Sequence, residues 1–159
     1  MAEFTTDIFS QFDKKWALLC AGTKEKHNTM TISWGGMGTL WGKPVVTVYV
    51  KPCRHTYSFM NDNEFFTVSF YPEECKKALA IMGSKSGRDV NKDEVSGLTV
   101  KPAGQVVTYE EAELTIICRK IYWQDLVRDN IPQEAMERFY SEEDPHRMFV
   151  GEVVEMIKK

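Results

Sequence analysis

The first half of the chain is patterned as short strands. Trp16-Ala17-Leu18-Leu19-Cys20-Ala21 is an apolar run that stops at Gly22, and the polar stretch from Thr23 to His27 reads as a turn. Met30, Ile32 and Trp34 then alternate with Thr29, Thr31 and Ser33, the period of two expected of a half-buried strand. Val45 to Val50 is rich in β-branched residues and bounded by Pro44 and Pro52, which predicts a buried strand. Phe65 to Phe70 repeats that character after the turn-forming Asn61-Asp62-Asn63.

Helical pieces fall between and after these strands. His55 to Met60, squeezed between a proline and the Asn/Asp cluster, predicts a couple of turns. Over Glu73 to Met82, Cys75, Leu79 and Met82 recur at helical spacing, with acidic residues first and Gly83 last. Ser84 to Lys101 is polar and reads as loop. Glu113 to Tyr122 predicts a long strand, Pro132 to Tyr140 a short helix and Met148 to Ile157 a closing strand. The helices are too short to cover a parallel sheet. The expectation is a mainly β (α+β) fold, an antiparallel barrel with short peripheral helices, in one domain over residues 1–159.

Composition narrows the function classes. A chain of 159 residues, 43% hydrophobic and 27% charged, is ordinary for a globular domain. A net charge of −3 supplies no electrostatic reason for a nucleic-acid partner. Apolar runs such as Val45 to Val50 are too short for a bilayer, and Asp7, Asp13, Lys14 and Lys15 interrupt any signal-peptide core. No membrane association and a cytoplasmic location follow as expectations. Cys20, Cys53, Cys75 and Cys118 form no C-x-x-C pair, so four free and mostly buried thiols are expected. Only Cys53 and His55 sit at close ligand spacing, which gives zinc little support.

Three segments carry candidate chemistry. Asn28 to Trp34 is a strand whose edge suits a planar ligand. Pro52-Cys53-Arg54-His55-Thr56-Tyr57 is a basic, hydroxyl-bearing turn, and Ser86-Gly87-Arg88-Asp89 with Lys92 adds small residues, a hydroxyl and two cations. A flat heteroaromatic ring carrying a phosphate suits all three, with FMN the commonest such ligand. Other ligand motifs fail. A phosphate loop needs Gly where Met37 stands and Ser or Thr where Pro44 stands, and a dinucleotide fingerprint needs Gly at Trp41. No G-x-S-x-G elbow occurs.

The order of pieces resembles the flavin reductase-like, FMN-binding split-barrel family, especially its flavoredoxin-type members. The resemblance rests on Asn28-x-Met30-Thr31-x-Ser33-Trp34-Gly35, Trp41-x-Lys43-Pro44, Pro52-x-Arg54-x-Thr56-Tyr57 and Phe66-Thr67-Val68-Ser69. Ser86-Gly87-Arg88-Asp89-x-x-Lys92 and His146-x-Met148-Phe149-Val150-Gly151-Glu152-Val153 complete it, so that it runs from about Trp16 to Ile157. It implies an antiparallel split β-barrel that binds FMN. Asn28, Met30, Thr31, Ile32, Ser33 and Trp34 would lie along the ring, largely through main-chain groups. Arg54, Thr56, Tyr57, Ser86, Gly87, Arg88 and Lys92 would lie around the phosphate. The charges agree, because a phosphate dianion calls for charge-assisted hydrogen bonds and Arg54 offers a planar fork of donors. Thr56 adds a hydroxyl at an expected helix start, where backbone amides point outward.

In reductases of the family the residue matching His146 lies near flavin and nicotinamide, which makes His146 the candidate catalytic residue. Here Asp144-Pro145 precedes it, where many of those reductases carry Gly-Asp. The resemblance further implies a homodimer and electron transfer to the flavin, from NAD(P)H or from a redox partner protein. A flavoredoxin-like electron carrier without NAD(P)H activity, a reductase of free flavin and a non-catalytic flavin-binding module stay open as alternatives.

Overall fold

The computed structural model describes residues 3–159. Helix α1 (Ile8–Asp13), capped by the Asp7 carboxylate accepting from the Phe9 N–H, precedes β1 (Ala17–Gly22) and β2 (His27–Ile32). Strands β3 (Gly35–Leu40) and β4 (Lys43–Val50), helix α2 (Thr56–Asp62) and β5 (Phe65–Phe70) follow. A 3-10 turn at Glu73–Cys75 runs into α3 (Lys76–Ser84), then α4 (Lys92–Ser96) and the hairpin of β6 (Val100–Ala103) and β7 (Val106–Tyr109). The long strands β8 (Leu114–Asp125) and β9 (Arg147–Lys158) flank a second 3-10 turn and α5 (Gln133–Phe139).

Seven strands form one antiparallel sheet in the order β2-β1-β5-β8-β9-β4-β3. Its two end strands, β2 and β3, are consecutive in the chain and do not pair. Met30 and Ile32 of β2 nevertheless share one buried cluster with Val46 and Val48 of β4, Ile116 of β8 and Phe149 of β9. Side chains from opposite ends of the strand order meet only if the sheet is rolled on itself. The result is a barrel with an open seam at Ser33-Trp34, and the cleft described below lies at that seam.

The outer face of β1 is covered as well. Leu18 packs with Leu79, Met82 and Tyr109 beneath α3, while Cys20 packs with Val106 and Val107 of the β6–β7 hairpin. Burial on both faces explains why this strand reads as a continuous apolar run without alternation. In β9, Gly151 is required by packing. A Cβ there would lie 2.5 Å from the Phe66 ring and 2.7 Å from Cys118 Cβ. Its neighbour Glu152 accepts from Arg119 at 2.7 Å and from Lys43 at 3.2 Å, tying β4, β8 and β9 together on the surface.

Several expectations need correction. Strand β2 ends at Ile32, so Ser33 and Trp34 lie in the connection and not on a strand. The polar stretch after Ser84 is not all loop, since α4 starts under the Asn91 cap and ends at Gly97 with φ +75. Strands β8 and β9 extend beyond their apolar portions to Asp125 and back to Arg147, with register shifts after Ile117 and after Lys120. The thiols are all unpaired, with Cys20 and Cys118 buried and Cys53 exposed. No helix among the described residues is long and apolar enough to cross a membrane.

Candidate functional site

A cavity of about 240 Å³ forms where β2, the segment after β4 and the α3–α4 connection converge, and it is lined by Asn28, Arg54, Thr56, Ser86, Arg88 and Lys92 among others. Thr56 is buried at the first position of α2, and its hydroxyl accepts from Asn28 Nδ2 at 2.7 Å. The α3–α4 connection folds on itself at Ser86, whose carbonyl accepts the Asp89 and Val90 amides and whose hydroxyl accepts the Arg88 N–H. Arg88 Nη1 then donates to the Cys53 carbonyl at 3.1 Å, fastening this connection to the Arg54 segment. Gly87 makes the close passage possible, since a Cβ there would sit 2.1 Å from Asn28 Oδ1.

Lys92 is not a solvated loop cation. It is buried, and its ammonium donates to the Thr29 and Met82 carbonyls, each at 2.7 Å. Desolvation, with a smaller contribution from the Arg54 charge, lowers its pKa to about 8. It lines the cavity while bracing β2 against α3.

A second cavity of about 190 Å³ shares Met30 and Arg54 with the first and continues along Thr31 to Trp34, opposite Tyr49, Lys51 and His146. Met30 and Ile32 are core residues that form its back wall. The Thr31 hydroxyl donates to the Leu79 carbonyl, which fixes β2 against α3. Trp34 is 42% exposed and meets Phe139 edge-on at 5.0 Å and His146 at 5.4 Å.

His146 enters from the turn before β9, with Nδ1 2.6 Å from the Tyr140 hydroxyl. Burial, reinforced by the Lys51 and Arg54 charges, pushes its pKa down to about 4, so the imidazole is neutral at neutral pH. Burial also raises the Tyr140 phenol, which therefore stays protonated. The phenol and Nδ1 share one hydrogen bond whose donor is set by the imidazole tautomer.

Of the residues singled out from sequence, Asn28, Met30, Arg54, Thr56, Ser86, Arg88 and Lys92 line the first cavity, and Thr31, Ile32, Ser33, Trp34 and His146 the second. Tyr57 lines neither. It packs against the barrel core, with the Arg147 guanidinium 5.2 Å from its ring centroid. Gly87 lines a neighbouring open groove with His27, His55 and Asp93. Tyr49, Lys51, Cys53 and Glu143 also line the cleft and were not among the candidates. Tyr49 and Lys51 were within reach of sequence reasoning, since they continue the period of two along β4 toward the same face. Glu143 and Tyr140 carry no local signal, because the turn that holds them owes its position to tertiary contacts.

The two cavities together make one cleft with cations and hydroxyls at one end and a flat, aromatic-walled slot at the other. Such a donor set fits a planar heteroaromatic group bearing an anionic tail. The class defined is an antiparallel barrel with a ligand cleft at its open seam. A family model described as the flavin reductase like domain matches residues 9–158, and the chain belongs to that family.

Among solved structures, it is similar to flavoredoxin from Methanosarcina acetivorans, with 21% identity over 91% of this chain and 68% of that one and a TM-score of 0.73. An FMN-binding protein from Thermus thermophilus matches with 20% identity over 100% of this chain and 80% of that one, at a TM-score of 0.74. Flavoredoxin of Desulfovibrio vulgaris (Miyazaki F) matches with 18% identity over 91% and 69%, at 0.71. At these identities the likeness establishes the fold, a split barrel. No match was found among curated proteins.

Proposed function

We propose that this chain folds as one domain over residues 1–159, binds FMN as a flavoprotein and serves as an NAD(P)H-dependent flavin reductase-type oxidoreductase. The observation that carries the proposal is the continuity of the cleft. The slot along Met30 to Trp34 opens directly into the cavity holding Arg54, Ser86 and Arg88, with Met30 and Arg54 shared between them. A ring in the slot thus places its tail among the cations. The likeness to an FMN-binding protein from Thermus thermophilus supports the choice of ligand.

Arg54 and Arg88 would neutralise the phosphate, with the Ser86 and Thr56 hydroxyls completing its hydrogen bonds. The β2 backbone and the Ser33-Trp34 connection would wall one side of the ring. A bound flavin supplies the redox chemistry, and the protein supplies orientation and electrostatics. His146, neutral on the wall of the slot, would stabilise charge developing there without carrying a charge of its own in the resting state.

A homodimer is part of the same proposal. Ser33, Trp34 and Tyr49 border both the slot and an apolar hollow containing Ile8, Phe12 and Met37, beside Phe9, which is 84% exposed. A second copy covering that hollow would also shield the slot. Light scattering checks the state, and a monomer retaining tightly bound FMN contradicts it.

NAD(P)H oxidation followed with and without added flavin tests the reductase assignment. Turnover that is slowed by His146→Ala, with FMN affinity retained, supports it. Reduction by dithionite but never by NAD(P)H leaves the electron-carrier alternative in its place.

A further inference from the structure

One side chain in the anion cavity has the wrong sign for a phosphate site. Glu143 lines the cavity alongside Arg54, Ser86 and Arg88. It is held there by two partners. Cys53 Sγ donates to Oε2 at 2.7 Å, and Lys51 Nζ lies 3.5 Å from Oε1. Lys51 is itself anchored by donating to the Phe139 carbonyl at 2.8 Å, so the pair is fixed at both ends. The turn is fastened from outside by Arg128 and Asp144, 2.6 Å apart. These contacts keep the carboxylate ionised, the Cys53 hydrogen bond and the Lys51 charge both holding it below the usual carboxylate range.

We infer that Glu143, a partly exposed anion on the wall of this cavity, opposes the ligand's phosphate there and so weakens the preference of the cleft for a phosphorylated flavin over an unphosphorylated one. The inference rests on the FMN assignment above and goes beyond it. A site built only for tight phosphate capture would leave Arg54 and Arg88 without a carboxylate beside them. Here Lys51, which lines the adjoining slot, is engaged by a carboxylate before any ligand arrives, and a phosphate entering among Arg54, Ser86 and Arg88 meets a like charge on the cavity wall. Tight retention is thereby traded for exchange, which suits a flavin that enters and leaves. Glu143 also shares a short turn with His146, so a phosphate that displaces the carboxylate acts on the turn carrying the imidazole.

The experiment is a fluorescence titration of apo-protein with FMN and with riboflavin, for wild type, Glu143→Gln, Glu143→Ala and Arg54→Ala. Glu143→Gln keeps the acceptor for Cys53 and removes only the charge. It should tighten FMN by about three- to tenfold, the scale of one partly exposed like charge near a phosphate, and leave riboflavin unchanged. Glu143→Ala should act in the same direction. An FMN-to-riboflavin preference that is unchanged or lowered in Glu143→Gln overturns the inference. If Arg54→Ala lowers that preference while Glu143→Gln fails to raise it, Glu143 alone loses its role. If Arg54→Ala also leaves it unchanged, the phosphate assignment falls and this inference falls with it.

Discussion

The neutral state of His146 makes a prediction about acid stability that can be worked from its surroundings. The imidazole sits among Trp34, Tyr49 and Tyr140, with Lys51 and Arg54 opposing its protonation and Glu143 weakly favouring it. Its pKa is about 4 in the folded protein against an ordinary 6.5. The folded state therefore resists a proton that the unfolded chain accepts. Above pH 6.5 both states are neutral at this residue and it costs nothing. As pH falls from 6.5 toward 4, the unfolded state gains the proton first and stability is lost, with the full penalty in place below about 4.

The pKa gap corresponds to about 3 kcal/mol at ~1.36 kcal/mol per pH unit. Partial exposure of the ring screens this to about 1–2 kcal/mol. His146→Asn removes the titration while keeping a polar group beside Tyr140. Urea unfolding at pH 7 and pH 4.5 should show wild type losing about 1 kcal/mol more than His146→Asn across that interval. Parallel losses in the two proteins would refute the neutral, desolvated imidazole, and with it the role of His146 as an uncharged group beside the slot.

Three further outcomes are expected. Gly151→Ala places a methyl against Phe66 and Cys118 inside the barrel and should cost about 1–3 kcal/mol by chemical denaturation, with little effect on ligand affinity per folded molecule. Gly87→Ala drives its Cβ into Asn28, disturbs the Asn28–Thr56 hydrogen bond and should weaken FMN binding by about three- to tenfold in a fluorescence titration. Lys92, with its pKa lowered to about 8, loses its charge as pH rises from about 7 to 9. FMN affinity measured over that interval should fall while riboflavin affinity stays level, because only the phosphate-bearing flavin is drawn by the ammonium charge.

The fold was legible wherever burial alone decided the pattern. Strands β1, β4 and β5 are apolar or β-branched because barrel packing demands it, and their limits were readable to within a residue or two. Strand β3 was invisible because Gly35, Gly36 and Gly38 lie at a largely exposed sheet edge, where no apolar period is imposed. The polar ends of β8 and β9 were hidden for a related reason, since cross-strand pairs such as Arg147 with Asp125 hold them rather than core contacts. In the site, Arg54, Ser86 and Arg88 stood out by residue type. Lys92 stood out as a cation too, but its burial did not, because a lysine in a polar stretch gives no hint of two buried carbonyl acceptors. Tyr57 came with the resemblance as part of the Arg54-x-Thr56-Tyr57 motif, and in the structure it lies outside both cavities with the Arg147 guanidinium over its ring.

The central claim, a cleft made for a ring with a phosphate tail, is tested most directly by titrating the apo-protein with FMN and riboflavin and repeating both titrations on Arg54→Ala. The account predicts that wild type prefers FMN. It also predicts that Arg54→Ala, by removing a charged hydrogen bond of about 1.5–3 kcal/mol, lowers FMN affinity about ten- to hundredfold and leaves riboflavin nearly unchanged. Equal affinities for the two flavins in wild type, unmoved by the loss of Arg54, would contradict it.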